Sequence, residues 1–203
     1  MLNMTKHLVV AMLSAQIMSQ DFEKEVLVEN TNLSESTIDY CYQYGDEYDF
    51  RPELLIAIIE AESSGNPNAK NGGCIGLMQI YEKYHTDRME RLGVSDLYDE
   101  SGNILVATDY LYELFMKYGD VGMTLLVYNG DSSAKDYWNG NGELSAYAKK
   151  IINRTEELEN IIDEERASKR KTYKQLEKNN RIQGEISYGK TNDWNTKSKW
   201  KNN

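Results

Sequence analysis

The sequence predicts a mainly α-helical domain, and three observations carry that reading. Apolar residues recur at helical spacing in several separate stretches, capping and breaking residues punctuate those stretches, and no run alternates strongly enough to mark a half-buried strand. With 203 residues the chain can hold one domain with a substantial core plus flanking tails. A hydrophobic content of 40% and a mean hydropathy of −0.68 imply that a good part of it is solvated.

The elements follow in order. A first helix is predicted from near Ser36 to Tyr44, with Ser34 or Ser36 as N-cap and Gly45 just past its end. The next spans 52–64: Pro52 suits a first helical position, and Gly65 followed by Pro67 suits a C-terminal stop. A Gly-rich stretch over 70–76 then turns the chain back, with room for short strands in the 70–82 region. After Asn103, the residues Ile104, Ala107, Thr108, Leu111, Leu114 and Phe115 form a helical stripe. Asp120 is placed to cap a short helix over 121–127 that ends at a Tyr128-Asn129-Gly130 turn. The last domain helix starts near Gly142 or Glu143, with Ala148, Ile151, Ile152, Leu158, Ile161 and Ile162 facing inward.

The 52–64 helix carries the feature that points to chemistry. At about 100° per residue, Leu54, Leu55, Ile58 and Ala61 share a stripe, and Glu62 falls about 20° from Leu55. Glu53 and Glu60 point away from it, which leaves Glu62 as the carboxylate that the apolar face buries. A carboxyl held against apolar groups favours its neutral form, so its pKa rises. The last turn of a helix, where the macrodipole disfavours anions, pushes the same way. Glu62 is therefore a candidate proton donor.

Several separated blocks, in order, accompany it: Glu62-Ser63, Asn66-Pro67-Asn68-Ala69, Gly73-Cys74-Ile75-Gly76-Leu77-Met78-Gln79 and Tyr128-Asn129-Gly130-Asp131, with Tyr147 near the start of a late helix. Together these resemble the lytic transglycosylase catalytic domain of the soluble (SLT) type, from about residue 35 to about 160. That family carries a Glu-Ser pair, an Asn-Pro-x-Ala turn, a Gly-Ala-x-Gly-Leu-Met-Gln loop and a Tyr-Asn-Ala-Gly turn. The segment Asp96-Leu97-Tyr98-Asp99 through Asn103-Ile104 resembles the family's connection between the halves of the site. Three departures stand out. Asn71 occupies a position usually held by Ser, in a loop one residue shorter. Cys74 stands for Ala, and Gly130-Asp131 for Ala-Gly.

The resemblance implies a lysozyme-like α+β fold, mostly helical around a glycan-binding groove. It implies cleavage of the β-1,4 bond between N-acetylmuramic acid and N-acetylglucosamine in peptidoglycan without water. Glu62 would act first as general acid; ionised, it would then take a proton from the muramic acid 6-hydroxyl, leaving a 1,6-anhydro end. Cleavage with water normally employs a second carboxylate, and none is evident in the matching blocks. By the same carry-over, Ser63 would hold the end of the acid helix. Met78 and Gln79 would line the groove, Tyr128 and Asn129 would border the acid, and Tyr147 would hydrogen-bond Glu62 or the acetamido group. Met78 reads equally well as core filling, and Tyr147 as a packing aromatic. A lysozyme-type hydrolase on the same fold and a non-catalytic glycan-binding assembly factor are the alternatives.

Charge is unevenly distributed. Residues 166–203 hold 11 Lys/Arg against 3 Asp/Glu, whereas residues 1–165 hold 12 against 30. Overall acidity, with a pI near 4.8, argues against a nucleic-acid partner. The tail over 164–203 reads as basic and solvated, its first part extending the preceding helix and the stretch beyond Gly184 disordered, with weak attraction to anionic wall polymers or a membrane surface as its functional reading. Lys6 and the apolar run Leu8–Leu13 resemble a secretory leader over residues 1–20, or else a plain amphipathic start. The run is far shorter than the roughly 20 residues of a membrane span. Residues 21–34 read as a polar linker into a domain spanning 35–163.

Cys41 and Cys74 are compatible with one disulfide or with two free thiols. His7 and His85 are isolated and read as surface residues, so no metal, cofactor or His-activated nucleophile is expected. The expected partner is the peptidoglycan glycan strand, met by a monomer. The place of action would be extracytoplasmic, by secretion, wall association or delivery from a phage or mobile element.

Overall fold

The computed structural model describes residues 19–197, with side chains through residue 179; the leader-like segment therefore lies almost wholly outside the described residues. The elements are α1 (Gln20–Asn30), α2 (Glu35–Tyr48), α3 (Pro52–Ser63), β1 (Lys70–Asn71), β2 (Cys74–Ile75), β3 (Ile80–Tyr81), α4 (Glu82–Leu92), α5 (Glu100–Tyr118), α6 (Val121–Tyr128), α7 (Ala134–Trp138) and α8 (Ala146–Lys197). Two compact units emerge, one spanning Glu23–Ile162 and the other containing residues up to Phe22 and from Asp163 onward. In the latter, the Lys169 ammonium lies 4.5 Å from the Phe22 ring centroid and Arg166 pairs with Asp163 at 3.1 Å.

Within Glu23–Ile162, α3 is the central element. The sequence suggested a single stripe, but Leu54, Leu55, Ile56, Ala57, Ile58 and Ile59 are all buried, so neighbours surround the helix. Its run of aliphatic side chains leaves no polar face to expose. Glu53, expected to point outward, is also buried, and burial raises its pKa while its own backbone N–H and Arg51 oppose the shift. Helix α8 lies along α3, tied by Arg154 to Glu60 at 2.7 Å and by the ion pair between Arg51 and Glu159.

Helix α2 begins as expected, with Ser34 Oγ accepting from the Thr37 N–H at 3.1 Å. It runs past Gly45 to a left-handed Asp49 (φ 58°). Gly45 is a packing residue rather than a stop, because a Cβ there would meet the Phe50 carbonyl oxygen at 2.7 Å. Helix α5 starts a few residues before the expected Asn103, with Asp99 Oδ2 accepting from the Gly102 N–H at 2.7 Å. Helix α6 has the expected cap, Asp120 accepting from the Met123 N–H at 2.6 Å.

The 21–34 segment differs from the linker reading: most of it is α1, with Phe22, Val26 and Leu27 buried at i, i+4 and i+5. Three apolar residues on one face suffice to dock a helix that is polar elsewhere. Helix α4 was likewise unforeseen. Its Arg88 and Arg91 meet Asp109 of α5, with Arg91 Nη2 at 2.6 Å from the carboxylate. Helix α8 continues to Lys197, beyond Gly184, where disorder was expected. Both prolines lie far upstream, at 52 and 67, and Lys, Glu, Gln and Arg favour helix as far as Gln183 without needing an apolar period. The Gly, Thr, Asn and Asp residues beyond it do not, and propensity gives no account of the last turns.

The three short strands pair antiparallel in the order β1-β2-β3, with Asn71 opposite Cys74 and Cys74 opposite Tyr81. The β2–β3 loop is fixed from outside the sheet by Asn103 at the start of α5. This fully buried amide accepts from the Met78 N–H at 2.8 Å and donates to the carbonyls of Ile75 (2.9 Å) and Leu97 (2.8 Å). Gly76 is what lets the amide in: it adopts φ 79°, and a Cβ would meet Asn103 Nδ2 at 2.2 Å and the Leu97 oxygen at 2.4 Å. Asn103→Ala removes three buried hydrogen bonds at once. A loss of roughly 3 kcal/mol is expected, read as a lower urea midpoint; a loss below about 1 kcal/mol would show that the loop holds without the amide.

Candidate active site

Glu62 occupies the last turn of α3, and the helix ends through two successive left-handed residues, Ser64 (φ 54°) and Gly65 (φ 81°). A Cβ on Gly65 would meet Leu33 Cδ2 at 2.7 Å, so the stop is also a packing requirement. The turn delivers the carboxyl to the wall of a pocket of about 450 Å³. Ser63, Gln79, Tyr128 and Asn129 line the same pocket, and so do Asn71 and Cys74. Glu62 is the carboxylate in that lining, and Lys70 is the other charged residue.

The carboxyl is half-buried, and that burial raises its pKa above the usual carboxylate value. The Tyr147 hydroxyl donates to Glu62 Oε1 at 2.5 Å and partly offsets the rise by solvating the anion. Of the two partners proposed for Tyr147, the structure brings it to Glu62. Both nearby phenols hold their protons: burial, then the proximity of Glu62, pushes Tyr147 and Tyr128 well above the ordinary tyrosine range. The acid is thus bordered by neutral groups.

Tyr128 also fixes the opposite wall, its hydroxyl donating to the Met78 carbonyl at 2.7 Å. Met78 itself corrects an expectation. Its side chain is fully buried and cannot line the groove, because the Asn103 clamp on its N–H and the Tyr128 bond to its carbonyl turn the side chain into the core. Gln79 adopts a left-handed φ of 50°, and its side-chain amide donates to the carbonyls of Gly76 (2.9 Å) and Ala69 (3.3 Å). Ser63 Oγ donates to the Ile59 carbonyl of its own helix at 3.2 Å.

Both described cysteines are free: Cys41 is buried in α2 and Cys74 stands in the pocket wall. Burial, then Glu62, raises the Cys74 thiol pKa. His85 is half-buried rather than a surface residue. Its ring packs edge-on against Tyr110 at 4.6 Å, and Arg88 Nε lies 3.3 Å from its Nδ1. Burial and then Arg88 hold its pKa below the usual value. His7 lies outside the described residues. Among the described residues no cluster of His, Cys, Asp and Glu has the makings of a metal site.

Asn103 is the functional residue that sequence patterning passed over. It shares a helical face with Ala107 and Leu111, and a polar residue in a buried stripe signals a hydrogen-bonding task. Lys70 and Ser64 carried no comparable signal.

A helix ending at a buried carboxyl, a small antiparallel sheet and a second wall ending in a Tyr-Asn turn define a lysozyme-like α+β domain built around a cleft. The transglycosylase SLT domain model matches residues 39–151, and the chain belongs to that family. It is 35% identical over 92 residues to the transglycosylase of Enterobacteria phage PRD1, a match covering 45% of this chain and 33% of the phage protein. It also resembles the X-ray structure of an inactive mutant of the lytic transglycosylase Slt from Pseudomonas aeruginosa, with a TM-score of 0.46 and 17% identity, covering 61% of this chain and 22% of that one. The match therefore spans about a third of the phage protein's length and less of the other.

Glu62 binds its proton more tightly in the folded than in the unfolded state. The associated stability is fully present below the unfolded pKa and is lost as pH rises through the raised folded value. Glu62→Gln removes that loss while leaving an oxygen for Tyr147. The variant is expected to gain stability relative to wild type as pH rises from about 4 to about 8. Parallel melting-temperature curves over that range would show that Glu62 titrates as an ordinary surface acid.

Proposed function

We propose that the chain is a peptidoglycan lytic transglycosylase that cleaves the bond between N-acetylmuramic acid and N-acetylglucosamine. The observation that carries this reading is the composition of the pocket: one carboxylate, held toward its neutral form by burial, with no second carboxylate in the lining. Hydrolysis by the usual two-carboxyl scheme needs a partner about 5–9.5 Å across the sugar to act as nucleophile or to activate water. An intramolecular reaction does not.

Protonated Glu62 gives its proton to the leaving oxygen as the glycosidic bond breaks. The acetamido group of the muramic acid unit stabilises the cationic carbon. Glu62, now ionised, takes the proton from that sugar's 6-hydroxyl, whose oxygen bonds to the same carbon and closes a 1,6-anhydro ring. The proton lost in the first step is regained in the second. Acid and base duty in one group requires a pKa between those of a free carboxyl and a strong base. Burial supplies the rise, and the Tyr147 bond keeps the anion accessible.

Tyr147 is a positioning residue, holding the carboxyl through Oε1. Gln79, with its side-chain amide hydrogens committed to the loop, offers its carbonyl oxygen to a sugar N–H or hydroxyl. Asn129 and Asn71 offer further amides in the pocket lining. The family resemblance supports the assignments of Glu62, Gln79, Asn129 and Tyr147, while Asn71 stands where the family usually has Ser. A peptidoglycan substrate implies action outside the cytoplasmic membrane. Among the described residues no helix is long and apolar enough to cross a membrane.

Purified peptidoglycan incubated with the full chain should release muropeptides with 1,6-anhydro ends by mass spectrometry. Glu62→Gln should lower that rate by roughly 100- to 10,000-fold. Reducing ends in place of anhydro ends would make the protein a hydrolase, and wild-type binding without release would make it a glycan-binding factor.

A further inference from the structure

We propose that Tyr81 and Tyr84 form an aromatic platform on which a sugar ring of the glycan strand stacks beyond the pocket. This inference rests on the reading of the Glu62 pocket as a glycan-strand site.

The sheet register supplies the connection. Residues directly opposite one another in an antiparallel pair project their side chains from the same face. Asn71, Cys74 and Tyr81 are successive partners across the three strands, so they form one row on one face. Asn71 and Cys74 line the pocket, as does Lys70 at the open end of the other row. Tyr81 is the third member of the row and carries the same surface outward, away from β1. On the opposite face, Ile75 and Ile80 are buried in the core.

The ring of Tyr81 is held in place. It lies across the two-residue Gly72-Gly73 turn of the β1–β2 hairpin, where a Cβ on Gly73 would meet ring atoms Cε2 and Cζ at 2.4 Å. Glycine at 73 is therefore what lets an aromatic ring lie against the hairpin backbone. Tyr84 follows in the first turn of α4, its ring centroid 4.9 Å from that of Tyr81 at an interplanar angle of 31°. The two rings support each other, Tyr81 from the backbone side and Tyr84 from the solvent side.

Yet both remain open. Tyr81 is 38% and Tyr84 74% exposed. Single exposed aromatics are ordinary on protein surfaces; two rings in mutual contact, one strand over from the pocket-lining Cys74, are a specific arrangement. The Lys83 ammonium, 6.0 Å from the Tyr84 centroid, is at the outer limit of a cation–π contact and leaves the ring free to exchange it. A pyranose ring presents an apolar C–H face and polar edges. A fixed aromatic ring matches the first, and the tyrosine hydroxyls match the second. Because each ring has two rotatable side-chain bonds and is already positioned by its neighbour, little ordering entropy is lost on binding.

The platform lies beyond the catalytic pocket, so its effect belongs in binding and grows with strand length. The test uses the full chain and peptide-free glycan strands of alternating N-acetylglucosamine and N-acetylmuramic acid, sorted by length. Tyr84→Ala is expected to raise KM for long strands by roughly 3- to 10-fold with kcat within twofold, and to shift the smallest cleavable fragment much less. Tyr84→Phe should retain most of the binding and Tyr84→Trp all of it. Met116→Ala, which removes another exposed apolar side chain on α5, serves as the control.

Direct binding of the same strands, in a Glu62→Gln background, should weaken by the same factor. Wild-type cleavage with KM unchanged in Tyr84→Ala, or an equal loss on short and long strands, would overturn the platform while leaving the Glu62 site standing. Failure of the wild-type chain to bind or cut any strand would instead remove the reading on which the platform rests.

Discussion

Everything at the cleft depends on one buried amide. Asn103 reaches from α5 into the β2–β3 loop and satisfies the Met78 N–H together with two carbonyls, in a space that exists because residue 76 has no side chain. The alternative, a loop with unpaired polar groups in the core, costs several kcal/mol. The clamp thereby fixes where the loop turns. It sends Leu77 and Met78 inward and Gln79 outward, and it sets the Met78 carbonyl where Tyr128 of α6 can donate to it. One side chain thus ties together the sheet, α5 and α6, and the two walls facing Glu62 acquire their spacing from it.

The chemistry of Glu62 follows from a balance between burial and solvation by a single hydroxyl. Placing the carboxyl at the end of a helix whose body is buried raises its pKa, and Tyr147 moderates the rise. Glu53, on the same helix, is also buried and raised, but it lies at the opposite end among α2 and α8 and does not line the pocket. Desolvation alone therefore does not single out a candidate acid. What distinguishes Glu62 is desolvation on one side and an open cleft on the other.

Much of this was legible in the chain itself, for identifiable reasons. The caps Ser34 and Asp120, the Pro52 start and the 104–114 stripe are local signals, and each appears where expected. The blocks around Glu62, Gln79, Tyr128 and Tyr147 converge on one place because turn geometry is written in their glycines and prolines. What local signals could not convey was context. Gly45 looks like a helix stop until Phe50 folds back against it, and Met78 looks available to a sugar until Asn103 and Tyr128 are seen to hold its backbone. Helix α1 reads as a linker because its four apolar residues stand among seven polar or charged ones. In α8 the propensity of individual residues outweighs the missing period as far as Gln183.

The double left-handed stop after α3 has a consequence for how this segment can vary. Each residue added or removed between Pro52 and Ser64 would swing the terminal side chains by about 100° around the axis. A single insertion would aim the carboxyl into α3's packed neighbours instead of the opening, even with every other wall intact. The angular phase of this helix is thus locked from both ends, by a proline that sets its first turn and by a hinge that ends it. The number of residues in this helix is therefore as constrained as the identity of the carboxylate at its end.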